Sequence, residues 1–523
     1  MNKDYEYYKH KRVNSLQEIL ELSIKNGKDD IAFFYNGKDD NIIYKTYYEF
    51  YNDVTSLKKY FYKKFKNKHI CIIGNNSYDW LVIYLGIVLS GNVAVIIDKD
   101  LKEEQIYKML DKTNTKTIFY SRYCKSIFEN NQNKYDKYKI EDIPLYIDEV
   151  KEIKTNINLD VNKVCTIFFT SGTTGFNKAV MLSHKNIADN IYGATSLFKL
   201  DGNSLSVLPF HHAFGLIIGI FGPFFWHKSV FINESLKNLM ADIKISKPQT
   251  LIVVPVFVEN FYKVILSNAK KNRKKKLLKR IIKISNLSLK MNIDLRSKLF
   301  ASIISEFGGN LQYIICGGAY LDVKYVKWFR SIGIEVLNGY GITECSPVIA
   351  VNRNNYKKDG SVGQVIKGGK VKIVDNEILF KGNSVMLGYY KDTEATDKVL
   401  KKGWFYTGDY GYLDDDNFLF ITGRKKNLII LSNGENVSPE VIESELLHEE
   451  GVCEVIVYAK DNKIMASIYP EEEYIGNQEY FDKLIYKYNK NIPKNRQIAM
   501  AILRDKPFIK NSNNKILRNE IER

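Results

Sequence analysis

Over its first 160 residues the chain alternates short apolar runs with stretches whose apolar residues recur at helical spacing. His69-Ile70-Cys71-Ile72-Ile73-Gly74 reads as a buried strand closed by glycine, and helix 80–90, strand 93–97, helix 103–112 and strand 117–120 follow it. Strands alternating with helices in this way predict parallel sheets covered on both faces. Residues 80–97 are almost uncharged and approach the length of a membrane span. Gly91-Asn92 interrupts them, and the pattern reads instead as a buried helix followed by a strand. Apolar runs at 164–169 and 314–316 predict two more strands, and a further strand stops at Pro209. The last hundred residues form a small unit of helix 439–447, strands 453–459 and 464–469, and helix 478–489.

Composition narrows the class. With 523 residues, 45% apolar and 13% aromatic, the chain has core enough for several globular units and is not disordered. A net charge of +17, from 77 basic and 60 acidic residues, suits an anionic partner such as a nucleotide, CoA or a membrane surface. Lysine, asparagine, isoleucine and tyrosine are abundant throughout, so the charge reflects an overall bias, and nucleic acid is not an expected partner. The six cysteines lack CxxC spacing, which argues against a disulfide framework or zinc site and suits a reducing compartment. Cys71, Cys165, Cys316 and Cys453 sit in or beside apolar runs and are expected to be buried. The charged N-terminus carries no secretory signal, so a cytoplasmic location is expected. The basic run 270–280, with Leu277, Leu278, Ile281 and Ile282 spaced for one helical face, reads first as a solvated helix. Peripheral contact with an anionic membrane is the alternative.

The chemistry concentrates in one stretch, Thr170-Ser171-Gly172-Thr173-Thr174-Gly175-Phe176-Asn177-Lys178. Glycines let backbone N–H groups approach an anion, hydroxyls donate further hydrogen bonds, and lysine adds a point charge, so the stretch is suited to phosphate oxygens. It is not a Walker A loop, because no Gly-Lys-Ser/Thr closes it. Downstream lie Pro209-Phe210-His211-His212, the apolar stretch 216–226, Cys316-Gly317-Gly318-Ala319, and Tyr340-Gly341-Ile342-Thr343-Glu344. An aromatic face can bind a base, and a carboxylate can bring a hard cation to phosphates. Gly403-Trp404-Phe405-Tyr406-Thr407-Gly408-Asp409, Gly423-Arg424-Lys425-Lys426, Asn433-Gly434-Glu435-Asn436 and a terminal lysine segment ending Asn513-Asn514-Lys515 complete the series.

These blocks, in this order from about residue 30 to the C-terminus, resemble the acyl-adenylate-forming (AMP-binding) enzymes, and most of all the long-chain fatty acid–CoA ligases. The resemblance implies an α/β fold: a large N-terminal domain of doubly covered sheets with a β-barrel-like subdomain, 1–424, and a small mobile C-terminal α+β domain, 425–523. It implies ATP, Mg2+ and CoA as cofactors and a carboxylic acid as substrate, a medium- to long-chain fatty acid being expected. An acyl carrier protein as acceptor, or a non-catalytic member of the fold, are the alternatives. Thr170, His212, Glu344 and Lys515 are then the expected catalytic residues, with Glu344 holding the metal. Ser171, Gly172, Thr173, Thr174, Gly175, Lys178, Gly317, Gly318, Ala319, Tyr340, Gly341, Thr343, Asp409 and Arg424 are expected at ATP or AMP. Lys426 is expected at the interdomain hinge, and Asn433 and Gly434 beside the thiol. The sequence departs from the family pattern at Ala179, Asn427 and Asn513-Asn514. Ala179, in place of glycine, is expected to tighten the phosphate loop slightly.

Overall fold

The structure is a computed structural model. It describes the chain except residues 1–5, 38–40, 130–133, 151–156, 171–177, 431–435, 448, 462, 491, 511–515, 517 and 519–523. The chain divides into two compact units: one of residues 1–371, 380–405 and 415–419, the other of 372–379, 406–414 and 420–523.

The larger unit holds two sheets. The first runs, edge to edge, Gln364–Val365, Val348–Val351, Glu335–Gly341, Tyr313–Cys316, Thr250–Val253, Ser204–Ser206, Val230–Ile232, Ile31–Asn36, Ile42–Thr46. Its interior pairs are parallel, and antiparallel strands occur only toward the two edges. The second runs Gly388–Tyr389, Lys178–Ser183, Val164–Thr170, Val93–Ile96, His69–Ile73, Thr117–Tyr120, Asp136–Lys139. Here too the parallel core ends in antiparallel partners, because Val164–Thr170 turns back on itself through the hairpin to Lys178–Ser183. In open parallel sheets ligands bind beyond the carboxyl ends of the strands. Thr170, Cys316 and Gly341 all stand at such ends.

The apolar stretch at 80–97 is a helix, Tyr78–Leu89, followed by strand Val93–Ile96. Apart from Asp79, every residue of that helix is buried, so its apolar surface is covered by protein. No helix among the described residues is long and apolar enough to cross a membrane. Helix His184–Thr195 is a buried spine, opened by a capping box in which Ser183 and Asn186 satisfy each other's backbone. The N-terminal segment docks onto it: Arg12 pairs with Asp189 at 2.7 Å, and Tyr8 N–H donates to the Ser196 carbonyl.

A further five-stranded sheet is built from Lys370–Val374, Glu377–Lys381, Trp404–Leu413, Leu400–Lys401 and Leu419–Arg424. The smaller unit has its own apolar core, including Ile442, Leu446, Val457, Ile468, Phe481 and Ile498. The expected helices and strands are present as Pro439–Leu446, Val452–Lys460, Lys463–Pro470 and Gln478–Asn489. One strand, Ile498–Leu503, was not expected; it pairs parallel to Lys463–Pro470 and completes a three-stranded sheet.

One expectation is corrected. Cys453 is exposed while the other five cysteines are buried; the strand pairing shifts register between Val452 and Glu454, and this irregularity turns Cys453 outward although Val455 and Val457 further along are core residues. Of residues 277, 278, 281 and 282, expected on one helical face, Leu278, Ile281 and Ile282 pack against the core of the larger unit. In helix Lys275–Lys290, Leu278 is buried and Leu277 is 51% exposed, since adjacent residues on a helix point about 100° apart.

Candidate active site

Ser171, Gly172, Thr173, Thr174 and Gly175, the residues expected at phosphate, lie outside the described residues, and the strand residues on either side of them are paired. Thr170 and Lys178 are cross-strand partners at the mouth of the hairpin. Ala179 sits inside strand Lys178–Ser183, fully buried, and its carbonyl accepts from Tyr390 N–H at 2.8 Å. The methyl expected to tighten the loop is therefore a core contact of the strand.

Lys178 is partly exposed, and its ammonium lies over the ring of Tyr389, 4.5 Å from the centroid. The Tyr389 hydroxyl donates to Glu344 Oε1 at 2.7 Å. Burial, and then the Glu344 carboxylate, push the Tyr389 phenol well above its ordinary pKa, so the proton stays on the hydroxyl. One side chain thus connects the lysine of the loop to the carboxylate of the Tyr-Gly-x-Thr-Glu motif. Tyr389 was not singled out in the sequence, where its partner is 45 residues away.

Thr343 and Glu344 stand on a tight turn, Thr343–Cys345, after strand Glu335–Gly341. The turn is held from below by Asn190 on the buried helix. Asn190 Nδ2 donates to the Cys345 and Val348 carbonyls at 2.9 and 2.8 Å, and its Oδ1 accepts from Val348 N–H. Four residues earlier, Asn186 Nδ2 donates to the Asn383 and Val385 carbonyls at 2.6 and 3.0 Å, fixing the chain that leads to Tyr389. Met386 N–H closes the pair by donating to the Glu344 carbonyl at 2.8 Å. A helix with two asparagines one turn apart on its buried side was the available signal for this support.

Gly317, Gly318, Tyr340 and Gly341 line a mostly apolar cavity of about 50 Å³, together with Phe198, Phe214 and Ile218. Ala319 follows them and is exposed. Gly318 has φ +87°, a left-handed conformation that suits glycine. A side chain on Gly317 would meet the Gly339 carbonyl at 3.3 Å and the Phe214 ring at 3.4 Å. Phe214 opens a π-helical turn, Phe214–Ile218, a distortion often found at functional sites. The apolar stretch after the histidines is thus both core and lining. Leu216, Ile217 and Phe221 are buried, while Phe214 and Ile218 face the cavity. His212 is partly exposed in the turn after Pro209, its ring 4.1 Å from that of His211. Burial pushes His211 down to about 3, so it is neutral at physiological pH despite Asp98 at 3.5 Å.

In the smaller unit Asp409 and Arg424 are brought together, Arg424 Nε lying 3.3 Å from Asp409 Oδ1. The Asp409 backbone is set by Thr407, whose hydroxyl accepts from Asp409 N–H and donates to the Ile378 carbonyl. Lys426 is exposed in the turn that follows. Asn427 donates to Glu440 Oε1 at 2.6 Å, and Ser438 donates to Oε2 of the same carboxylate. An acidic residue at 427 would oppose that carboxylate, which accounts for asparagine here. Asn433, Gly434 and Lys515 lie outside the described residues. Lys510 and Ile516, on either side of 511–515, pair as an antiparallel bridge, and Lys510 and Arg518 are tied to Glu454 and Glu443.

No cluster of three or more His, Cys, Asp or Glu that could hold a metal occurs among the described residues. A lone carboxylate, Glu344, is the donor set to be expected for Mg2+, which keeps waters and is held by one or two carboxylates plus substrate phosphates. The residues present therefore fit a metal that arrives with a nucleotide.

The sequence model of the family described as "AMP-binding enzyme" matches residues 20–390. The long-chain-fatty-acid–CoA ligase FadD15 of Mycobacterium bovis is 26% identical over 422 residues, 74% of this chain and 70% of that protein. The chloroplastic long-chain-fatty-acid–[acyl-carrier-protein] ligase AEE15 of Arabidopsis thaliana is 26% identical over 499 residues, 77% of this chain and 68% of its own. Among solved structures, the o-succinylbenzoate coenzyme A synthetase MenE from Bacillus subtilis, in complex with ATP and magnesium ion, superposes with a TM-score of 0.74 at 21% identity. It covers 96% of this chain and 98% of that one. That likeness shows the shared fold: mixed α/β, with a large N-terminal and a small C-terminal domain.

Proposed function

Because the chain belongs to the AMP-binding enzyme family, we propose that this adenylate-forming acid–thiol ligase acts on a medium- to long-chain fatty acid and transfers it to CoA. The observation that carries the reading is the set Lys178, Tyr389 and Glu344, which holds a cation and a carboxylate at the mouth of the 170–178 loop. The same Tyr340–Glu344 segment continues from the wall of an apolar cavity. Similarity to long-chain-fatty-acid ligases supports the acid.

In the first step a carboxylate oxygen attacks the α-phosphorus of ATP, the bond to the β-phosphate oxygen breaks, and pyrophosphate leaves with the electron pair. Both reactants are anions, so positioning and charge neutralisation supply most of the acceleration. The 170–178 loop would hold the β- and γ-phosphates with Lys178, and Tyr340 would stack on adenine. Asp409 would accept the ribose hydroxyls, with Arg424 beside it. Glu344 would hold Mg2+, which supplies neutralisation of phosphate charge. Lys515 would contact the acid carboxylate and the α-phosphate. In the second step the thiolate sulfur attacks the acyl carbon and AMP departs with the C–O electrons. A rotation of the C-terminal domain about Lys426 would withdraw Lys515 and bring the Asn433-Gly434 loop to the thiol.

Similarity to the Arabidopsis carrier-protein ligase supports a second reading of the acceptor, an acyl carrier protein. The test is pyrophosphate release with MgATP and saturated fatty acids of increasing length, with CoA, with acyl carrier protein, and with neither. Turnover that needs CoA and peaks at medium or long chains is expected. Release stimulated only by carrier protein would change the acceptor, and no release with any fatty acid would overturn the substrate. The acid is insoluble in water at long chain lengths, and the proposed source is an anionic membrane surface met by helix Lys275–Lys290.

A further inference from the structure

We infer that Tyr389 is a positioning residue for the nucleotide side of the reaction, setting the loop lysine with its ring and the metal-side carboxylate with its hydroxyl. The inference rests on the proposed role of Glu344 and deepens it.

Three observations converge. First, the side chain is buried, with relative exposure of 4%, and a buried phenol needs a partner for its hydroxyl. The partner is Glu344 Oε1 at 2.7 Å, a charge-assisted bond that fixes one carboxylate oxygen and with it the direction of the other. Second, the ring face carries the Lys178 ammonium at 4.5 Å, an attraction that grows as water is excluded. Lys178 and Glu344 make no direct ion pair with each other, so neither charge is consumed by the other. The ring holds both and leaves both able to face phosphate oxygens and a cation. Third, the backbone around Tyr389 is tied on both sides. Leu387 N–H donates to the Met181 carbonyl and Tyr390 N–H to the Ala179 carbonyl, both on the hairpin strand that begins at Lys178. Tyr389 N–H donates to Thr396 Oγ1 at 2.9 Å, and Met386 N–H to the Glu344 backbone. A residue locked this firmly transmits position to the two groups it touches.

The test uses full-length Tyr389→Phe and Tyr389→Leu. Phenylalanine keeps the ring under Lys178 and removes only the bond to Glu344. Expected for Tyr389→Phe is a rise of about tenfold in the Mg2+ concentration for half-maximal pyrophosphate release, in line with loss of a hydrogen bond to a charged group. Mn2+ bound in the presence of ATP, counted by electron paramagnetic resonance, should weaken by a similar factor, and the effect should sit in metal dependence more than in kcat at saturating metal. Tyr389→Leu should add a rise in the KM for ATP as Lys178 loses its platform. Thioester formation from supplied acyl-adenylate should hold in both variants. Wild-type Mn2+ affinity in Tyr389→Phe would overturn the inference, as would equal loss of both half-reactions. Should no acid support pyrophosphate release in the wild-type chain, the proposed function fails separately, because Mn2+ binding with ATP is read without turnover.

Discussion

Asn190 shows how much a single buried polar side chain carries in this molecule. Its amide satisfies two carbonyls and one N–H of the 345–348 turn, all buried with it in the large unit. Leucine has nearly the same size but would leave all three backbone groups without a partner. Each such group costs about 1–3 kcal/mol, so Asn190→Leu should destabilise the large unit by about 3–5 kcal/mol. Chemical denaturation followed by intrinsic fluorescence measures this, and a loss below 1 kcal/mol would mean that water or a shifted turn replaces the amide. The sequence could not show the contact, since Asn190 and Val348 are 158 residues apart. The same holds for Tyr389 and Glu344. By contrast Gly318, Tyr340 and Glu344 lie in local motifs, which is why the sequence drew attention to them. Asp409 and Arg424 were each singled out in separate segments, and only the structure joins them, at 3.3 Å.

At the scale of elements, periodicity was a good guide wherever one environment covered a whole element. Strand His69–Ile73 and helices Tyr78–Leu89 and Glu103–Lys112 are packed into the larger unit much as their patterns predict. It failed where an element is irregular: Val452–Lys460 shifts register at Cys453, which turns outward between buried neighbours. The π-helical turn Phe214–Ile218 also escaped the sequence, because its extra residue per turn leaves no signature in a uniformly apolar stretch. That turn places the Phe214 ring against Gly317, at the wall of a cavity of about 50 Å³. Under the proposed function an acyl chain entering this cavity would meet the Phe214 ring. Phe214→Ala should shift the preferred fatty acid toward longer chains, with kcat/KM for the wild-type optimum falling several-fold. A panel of acids in the pyrophosphate assay reads this out; an unchanged length profile would place the acyl chain elsewhere.

At the scale of the whole molecule, a basic chain carries an apolar row where none is needed for folding. Leu277, Ile284 and Leu287 are 51%, 54% and 62% exposed on helix Lys275–Lys290. Positions spaced by seven and three residues fall within about 80° of arc on a helix, so the three make one stripe. Lys276, Lys279, Arg280 and Lys283 flank or enter it. An apolar stripe bordered by cations is what a helix lying in an anionic lipid surface requires: the stripe enters the acyl boundary and each cation near the surface adds about 1 kcal/mol. The helix's other face is already committed to the large unit's core through Leu278, with Ile281 and Ile282 packed against it, so docking would need no rearrangement of that core. The full chain should cosediment with vesicles containing anionic lipid, bind neutral vesicles far less, and be released as salt screens the cations. Replacing Leu277, Ile284 and Leu287 together by serine should reduce the bound fraction several-fold while leaving turnover of a water-soluble short-chain acid in place. Undiminished vesicle binding by that variant would assign the interaction to the chain's overall charge, and no binding by the wild-type chain would leave the stripe without a lipid partner.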